Sequence, residues 1–350
     1  MNSQGPTIPT IELAEGLTVS RIGFGGMALS PVYGGIDDAA AERTLAATID
    51  AGITFIDTAD VYGAPRDGAT GPAGTNEELV GRVLQGRREQ VQLATKFGIT
   101  GALGTAAAGE VKRVRGDRDY VRAACEASLR RLGTDVIDLY YLHRRDLDVP
   151  IAQTVAAMAE LVAEGKVRYL GLSEVTAAEL REAAAVHPIA AVQSEWSIWS
   201  RDVEAHVVPA AREVGAGFVP YSPLGRGFLT GTLTRDDVAG SMRAEQPRFD
   251  AGFEANQRVV DVIRSVATEL DATAAQVALA WLYAQGQRLG LPVVPIPGSR
   301  NAARMDENAG ALDLRLTADH LARLDAVAAT VSGGRNLTFN DPGWISADRE

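Results

Sequence analysis

The 350-residue chain has one cysteine, Cys125, and four histidines, His143, His187, His206 and His320. A single thiol excludes an internal disulfide framework and a cysteine-rich metal site, and its place on the Val121, Cys125, Ser128, Leu132 face of an expected helix reads as core. The histidines show neither HxH nor HExxH spacing, so no protein metal site is expected. No apolar run approaches the ~20 residues that span a bilayer. The N-terminal MNSQGPTIPT has neither a basic start nor an apolar stretch, so a cytoplasmic location without a membrane partner is expected. Basic blocks are missing as well. The 34 Lys and Arg alternate with 45 Asp and Glu to a net charge of -11, which removes the electrostatic case for nucleic acid. Periodicity exposes no apolar helix patch that would point to an oligomer. Nor does a G-x-G-x-x-G open a helix after the first strand, since the glycines of GFGGMALSP, 23–31, lack that spacing.

What is present is globular: 46% hydrophobic residues, enough for a sizeable core, with no composition break to divide residues 1–350 into two domains. Eight β-rich runs alternate with helical periodicity, starting at Arg21, Thr54, Val91, Asp135, Val167, Ala190, Gly217 and Pro292. Strict βα alternation over eight units predicts a closed (β/α)8 barrel, with an open doubly wound sheet as the alternative. Thr75 to Glu78 and Thr176 to Glu179 read as capping boxes that start helices. TIELAEGLTVS, 10–20, predicts a hairpin turning at Glu15-Gly16 and covering the barrel bottom. The long polar stretch between the last two strands is a candidate lid, and the tail 331–350 is expected to be irregular.

Several strands end in polar residues, and a barrel gathers its strand ends into one catalytic face. FIDTADVYG places Asp57, Asp60 and Tyr62 where one apolar run stops. Other strands end in Lys96, His143, Ser173-Glu174, Gln193 to Glu195 and Tyr221-Ser222. Reducing a carbonyl creates an alkoxide, which calls for a proton donor and for cationic or dipolar help. Tyr62 could give the proton, with a nearby Lys96 ammonium expected to lower its pKa. Asp57 would keep Lys96 charged, and His143 would orient the substrate oxygen. Asp60 reads as a loop or capping residue.

FIDTADVYG, LATKFG, DLYYLH, YLGLSE, VQSEWS, YSPLGRG and IPGSRNAARMDEN, in this order and across nearly the whole chain, resemble the landmarks of the aldo-keto reductase superfamily. The details look most like a bacterial branch that also resembles the potassium-channel β-subunits. The resemblance implies a barrel, reduction of a small-molecule carbonyl substrate with NADPH, and catalytic roles for Asp57, Tyr62, Lys96 and His143. It further implies that Tyr221 stacks on the nicotinamide while Ser173, Glu174 and Gln193 hydrogen-bond its carboxamide, although Glu174 stands where many members have Asn. Ser222, Leu224, Gly225 and Arg226 of SPLGRG would approach the pyrophosphate. Gly298, where many reductases carry Lys, lies with Ser299, Arg300 and Arg304 at the 2′-phosphate, and Glu307 with Asn308 at the adenine.

Met27, Phe97 and Arg144 are further expected pocket-wall residues, and Trp196 and Trp199 are expected either there or packed beneath it. The loop 64–74 beside Tyr62 either shapes the pocket or is a surface insertion. Two other functions fit parts of the pattern. Lys96 could serve a lyase as a Schiff-base nucleophile, or the chain could bind NADPH as a non-catalytic partner protein.

Overall fold

The structure, a computed structural model, describes residues 8–68, 71–101, 113–336 and 342–350. All of MNSQGPT, residues 69–70 of the 64–74 loop and 337–341 of the tail lie outside the described residues.

The chain begins with the expected hairpin, β1 (Thr10–Ala14) against β2 (Leu17–Ser20). Gly16 takes φ 77° at the turn, a conformation glycine adopts without strain. Seven parallel strands follow in sequential order: β3 (Gly23–Gly25), β4 (Phe55–Asp57), β5 (Gln92–Phe97), β6 (Ile137–Leu142), β7 (Val167–Ser173), β8 (Ala191–Glu195) and β9 (Gly217–Tyr221). The eighth run, from Pro292, carries no regular ladder, for a reason written in its sequence. Its residues facing β9 do bond: the Val294 and Ile296 amides donate to Phe218 and Pro220, and Pro292 accepts from Phe218. On the β3 side Pro295 and Pro297 accept from Gly23 and Gly25 but have no N–H to return. The segment nonetheless joins the last strand to the first, so the sheet closes as a (β/α)8 barrel and is not an open doubly wound sheet.

Strand alternation sends Phe55, Leu139, Tyr141, Val219 and Val294 into one interior cluster, which Leu13, Leu17 and Val19 of the hairpin enter. Each such side chain contributes roughly 1.5–3 kcal/mol by leaving water. Gly217 permits the approach, since a Cβ there would lie 2.3 Å from Leu13. The hairpin thus stoppers the N-terminal end and leaves only the opposite mouth open.

Outside, α1 (Asp38–Asp50), α2 (Thr75–Leu84), α3 (Arg118–Leu132), α4 (Ile151–Ala163), α5 (Ala177–Ala184) and α6 (Val207–Glu213) follow successive strands. The α3 face bearing Val121, Cys125, Ser128 and Leu132 is buried, and burial pushes the Cys125 thiol up to about 12. Thr176 and Glu179 form the expected capping box of α5. The Thr75–Glu78 box does not form. Gly74, its amide held by the Asp60 carbonyl, takes the N-cap with φ 70°, so Thr75 already lies inside α2 and donates to Ala64 instead. Glu78 pairs with Arg66. The long insert after β9 contains α7 (Arg235–Val238), α8 (Phe253–Glu269) and α9 (Ala274–Leu289), and α10 (Ala302–Ala309) and α11 (Ala318–Ala328) follow it. No described helix is long and apolar enough to cross a membrane.

Candidate active site

The open mouth holds a cavity of about 960 Å³. At its floor stand Asp57 on the end of β4, Tyr62 five residues on and His143 just beyond β6. Lys96 on β5 is not exposed to the cavity and lies buried behind Asp57 and Tyr62, so adjacent strands carry the four residues together. Lys96 is wholly buried. Its Nζ donates to Asp57 Oδ1, to the Thr58 carbonyl at 2.8 Å and to the Tyr62 hydroxyl at 3.3 Å. Gln193 Nε2 donates to the other Asp57 oxygen at 2.8 Å. Both carboxylate oxygens are therefore occupied, and the ammonium has three acceptors on one side of the cavity floor.

Burial opposes the Lys96 charge, but Asp57 and then Tyr62 outweigh it and raise the pKa above the ordinary lysine value. Tyr62 corrects the expectation of a lowered pKa. Lys96 acts in that direction, but burial is the larger influence, Asp57 adds to it, and the phenol is held above its ordinary value. Tyr62 is thus protonated across the neutral range. The His143 ring meets Tyr62 edge to face at 5.7 Å. Burial, with the Arg144 and Lys96 charges nearby, drives its pKa well below that of ordinary histidine, and it faces the cavity as a neutral imidazole. Asp60, read as a loop residue, is buried behind this group, its carboxyl pushed well above the usual range first by burial and then by Glu77.

Most of the other expected residues line the same cavity: Ser173, Gln193, Tyr221, Ser222, Leu224, Arg226, Gly298, Ser299, Arg300, Arg304, Glu307 and Asn308. Two do not. Glu174 is fully buried beside the cavity and its carboxylate is saturated: Arg335 Nη1 and Nη2 donate to it at 2.9 and 3.0 Å, Tyr221 OH at 2.8 Å and the Ser346 amide at 2.9 Å. It fastens the C-terminal tail to the barrel mouth. Gly225 packs inward, where a Cβ would meet Trp199 at 2.7 Å, and its amide closes a turn on Ser222. Phe97 likewise leaves the expected wall and stacks on Tyr140 at 4.9 Å. Trp196 and Trp199 pack below the mouth, on Phe218 and Phe228 respectively. No described residue of 64–74 lines the cavity.

Sequence reasoning missed Tyr33, Arg243 and Trp344. Arg226 donates to Tyr33 OH at 3.0 Å, and Arg243, from the polar insert, lies over the Tyr33 ring at 4.6 Å and donates to the Arg226 carbonyl at 2.8 Å. Burial, together with Arg226 and Arg300 among its neighbours, lowers the Arg243 pKa. Arg300 precedes α10 and holds the Gly34 carbonyl at 3.1 Å, while Arg304 is exposed on the first turn of α10. The counter-charges here are few: Glu195 is 4.0 Å from Arg226, and Asp237 and Glu307 also line the cavity. Four guanidinium groups at one end of a cavity fit a multiply charged anion. The backbone agrees with a binding role. Ser222 and Arg226 hold φ of 49° and 53°, conformations that cost non-glycine residues energy and concentrate at functional sites.

Residues 21–329 match the family model described as the Aldo/keto reductase family. A probable aldo-keto reductase of Glycine max is 44% identical over 328 residues, covering 92% of this chain and 89% of that protein. Among solved structures, the glycerol dehydrogenase of Gluconobacter oxydans gives a TM-score of 0.78 at 28% identity, covering 93% of this chain and 96% of its own. An aldo-keto reductase from Bacillus halodurans gives 0.71 at 27% identity, covering 92% and 96%.

Proposed function

The chain belongs to the aldo/keto reductase family and is an oxidoreductase, and from that premise we propose that it reduces the carbonyl of an aldehyde or ketone to an alcohol with NADPH, Tyr62 serving as general acid. The observation that carries this reading is the Lys96 ammonium, buried at the cavity floor between the Asp57 carboxylate and the Tyr62 hydroxyl. A bound nicotinamide supplies hydride to the carbonyl carbon. The chain's own task is to stabilise the oxygen that becomes an alkoxide. Tyr62, a protonated phenol, gives that oxygen its proton, and Lys96 favours the phenolate left behind. Asp57 keeps Lys96 charged, and Gln193 fixes Asp57. Neutral His143 hydrogen-bonds the oxygen and sets the angle at which the carbonyl lies.

Arg226, Arg243, Arg300 and Arg304 would hold the phosphates of the cofactor, with Arg304 at the 2′-phosphate that separates NADPH from NADH. Tyr221 and Ser173 line the nicotinamide end. A Schiff-base lyase fits less well, because Lys96 is held as an ammonium without a free lone pair. A non-catalytic NADPH binder has no need of a buried Asp57, Lys96, Tyr62 relay.

Tyr62→Phe tests the reading. It should keep NADPH binding, measured by cofactor fluorescence, and lose about 10²–10⁴-fold in aldehyde reduction, the usual contribution of general acid catalysis. Retention of more than about a tenth of wild-type turnover removes Tyr62 from the acid role.

A further inference from the structure

Carbonyl reduction leaves one charge in the cavity without a task. Arg144 follows His143 and is half-buried on the cavity wall. Its Nη1 donates to the His143 carbonyl at 2.8 Å and the Ser173 hydroxyl at 3.3 Å, while Nε is buried without a partner. Its charge lies 5.6 Å from the Trp344 ring and 6.0 Å from the Tyr221 ring. No described carboxylate forms an ion pair with it. Those nearby are engaged elsewhere: Glu174 with Arg335, and Asp57 with Lys96 and Gln193. In a chain of net charge -11, a partly buried cation left without an anion is an expense that a ligand's charge would offset.

The surroundings describe the rest of that ligand. Met27, Ile99 and Trp344 pack with Tyr62 in one apolar cluster, so the space beside the acid has an apolar wall, and the Arg144 guanidinium lies over its Trp344 ring. One guanidinium suits a monoanion, whereas the four-arginine end of the cavity suits phosphates. We propose that Arg144 is a substrate-binding residue that receives a carboxylate, so that the preferred substrates are aldehydes or ketones carrying a carboxylate on an apolar body. This rests on the reductase reading, and it adds the substrate class.

The test compares 4-formylbenzoate with its methyl ester, which has the same aldehyde and ring but no charge, using kcat/KM of the wild type, Arg144→Met and Arg144→Lys with NADPH. Wild type should favour the acid by about tenfold to a hundredfold, the range expected of a charge-assisted contact. Arg144→Met should lose that preference through a higher KM for the acid, its loss on the acid exceeding its loss on the ester by about tenfold or more, and Arg144→Lys should recover part of it. Equal treatment of acid and ester by wild type overturns the proposal and leaves the reductase reading standing. So does an equal loss on both compounds in Arg144→Met, which would make Arg144 a support for Tyr62 or Ser173. If wild type reduces neither compound the reductase reading falls, and calorimetric binding of 4-formylbenzoate with oxidised cofactor present still decides: binding weakened by Arg144→Met supports the carboxylate contact, and binding indifferent to it refutes the contact.

Discussion

Arg335→Met removes the cation that neutralises Glu174, and the size of the effect follows from where both groups lie. The side chains are 4% and 0% exposed, and the guanidinium makes a two-pronged contact with Glu174 and a second with Asp202 at 2.9–3.1 Å. Deleting one partner of a buried pair leaves an uncompensated charge and costs about 3–5 kcal/mol. At roughly 2.1 cal/mol/K per residue, a chain of this length has an unfolding entropy of about 0.7 kcal/mol/K, so the melting temperature should fall by about 4–7 °C. Differential scanning calorimetry measures it. Glu174→Gln combined with Arg335→Met removes both charges and should recover most of the loss. The pH dependence has a definite sign. Burial opposes ionisation of Glu174, but Arg335 and its other partners outweigh it and hold the carboxyl well below its ordinary value. Its stabilisation is therefore complete above the unfolded value of about 4.3 and disappears as pH falls towards the folded one. The gap between wild type and Arg335→Met should narrow on acidification through that window. A variant melting within about 1 °C of wild type, or a gap that ignores pH, would refute the reasoning.

Lys96→Met and Asp57→Asn should both slow carbonyl reduction, the lysine change more, because the carboxylate acts through the ammonium that touches Tyr62. Steady-state rates of the double variant should match Lys96→Met alone, and additive losses would show that Asp57 works separately. Arg304→Ala should weaken NADPH by about one to two orders of magnitude and leave NADH nearly unchanged in fluorescence titrations, since only NADPH carries the 2′-phosphate. Equal loss of both cofactors would mean that α10 had been disturbed and no contact removed.

The barrel was legible because its signals are local. Each strand announces itself by a short apolar run, several of these runs end in polar residues, and Asp57, Lys96 and His143 lie at such ends. What escaped depended on contacts distant along the chain. Arg335 meets Glu174 across 161 positions, and Arg243 meets Arg226 from within a polar insert whose composition marks only a loop. Two failures had a different origin. The sequence shows that Lys96 can pull down the Tyr62 pKa, but the opposing effect of burial exists only once the side chains are packed. The Thr75–Glu78 pattern satisfies the capping rule, yet Gly74 starts the helix one residue earlier because Asp60 has already fixed its amide.

Glu174 connects these long-range contacts to specificity. It holds φ 51°, a left-handed conformation that asparagine tolerates better than glutamate does. Glutamate in that conformation bears strain and also places a charge in the interior. Both costs are offset by its partners: Arg335, Tyr221 OH, the Glu195 amide and the Ser346 amide and hydroxyl. Among these, Arg335 and Ser346 are the tail residues, one on either side of Trp344. The same carboxylate therefore holds residues on both sides of the tryptophan that walls the space around Tyr62 and Arg144. Glu174 is consequently not a local feature: it depends on the arginine 161 residues away, and through it the tail becomes part of the pocket.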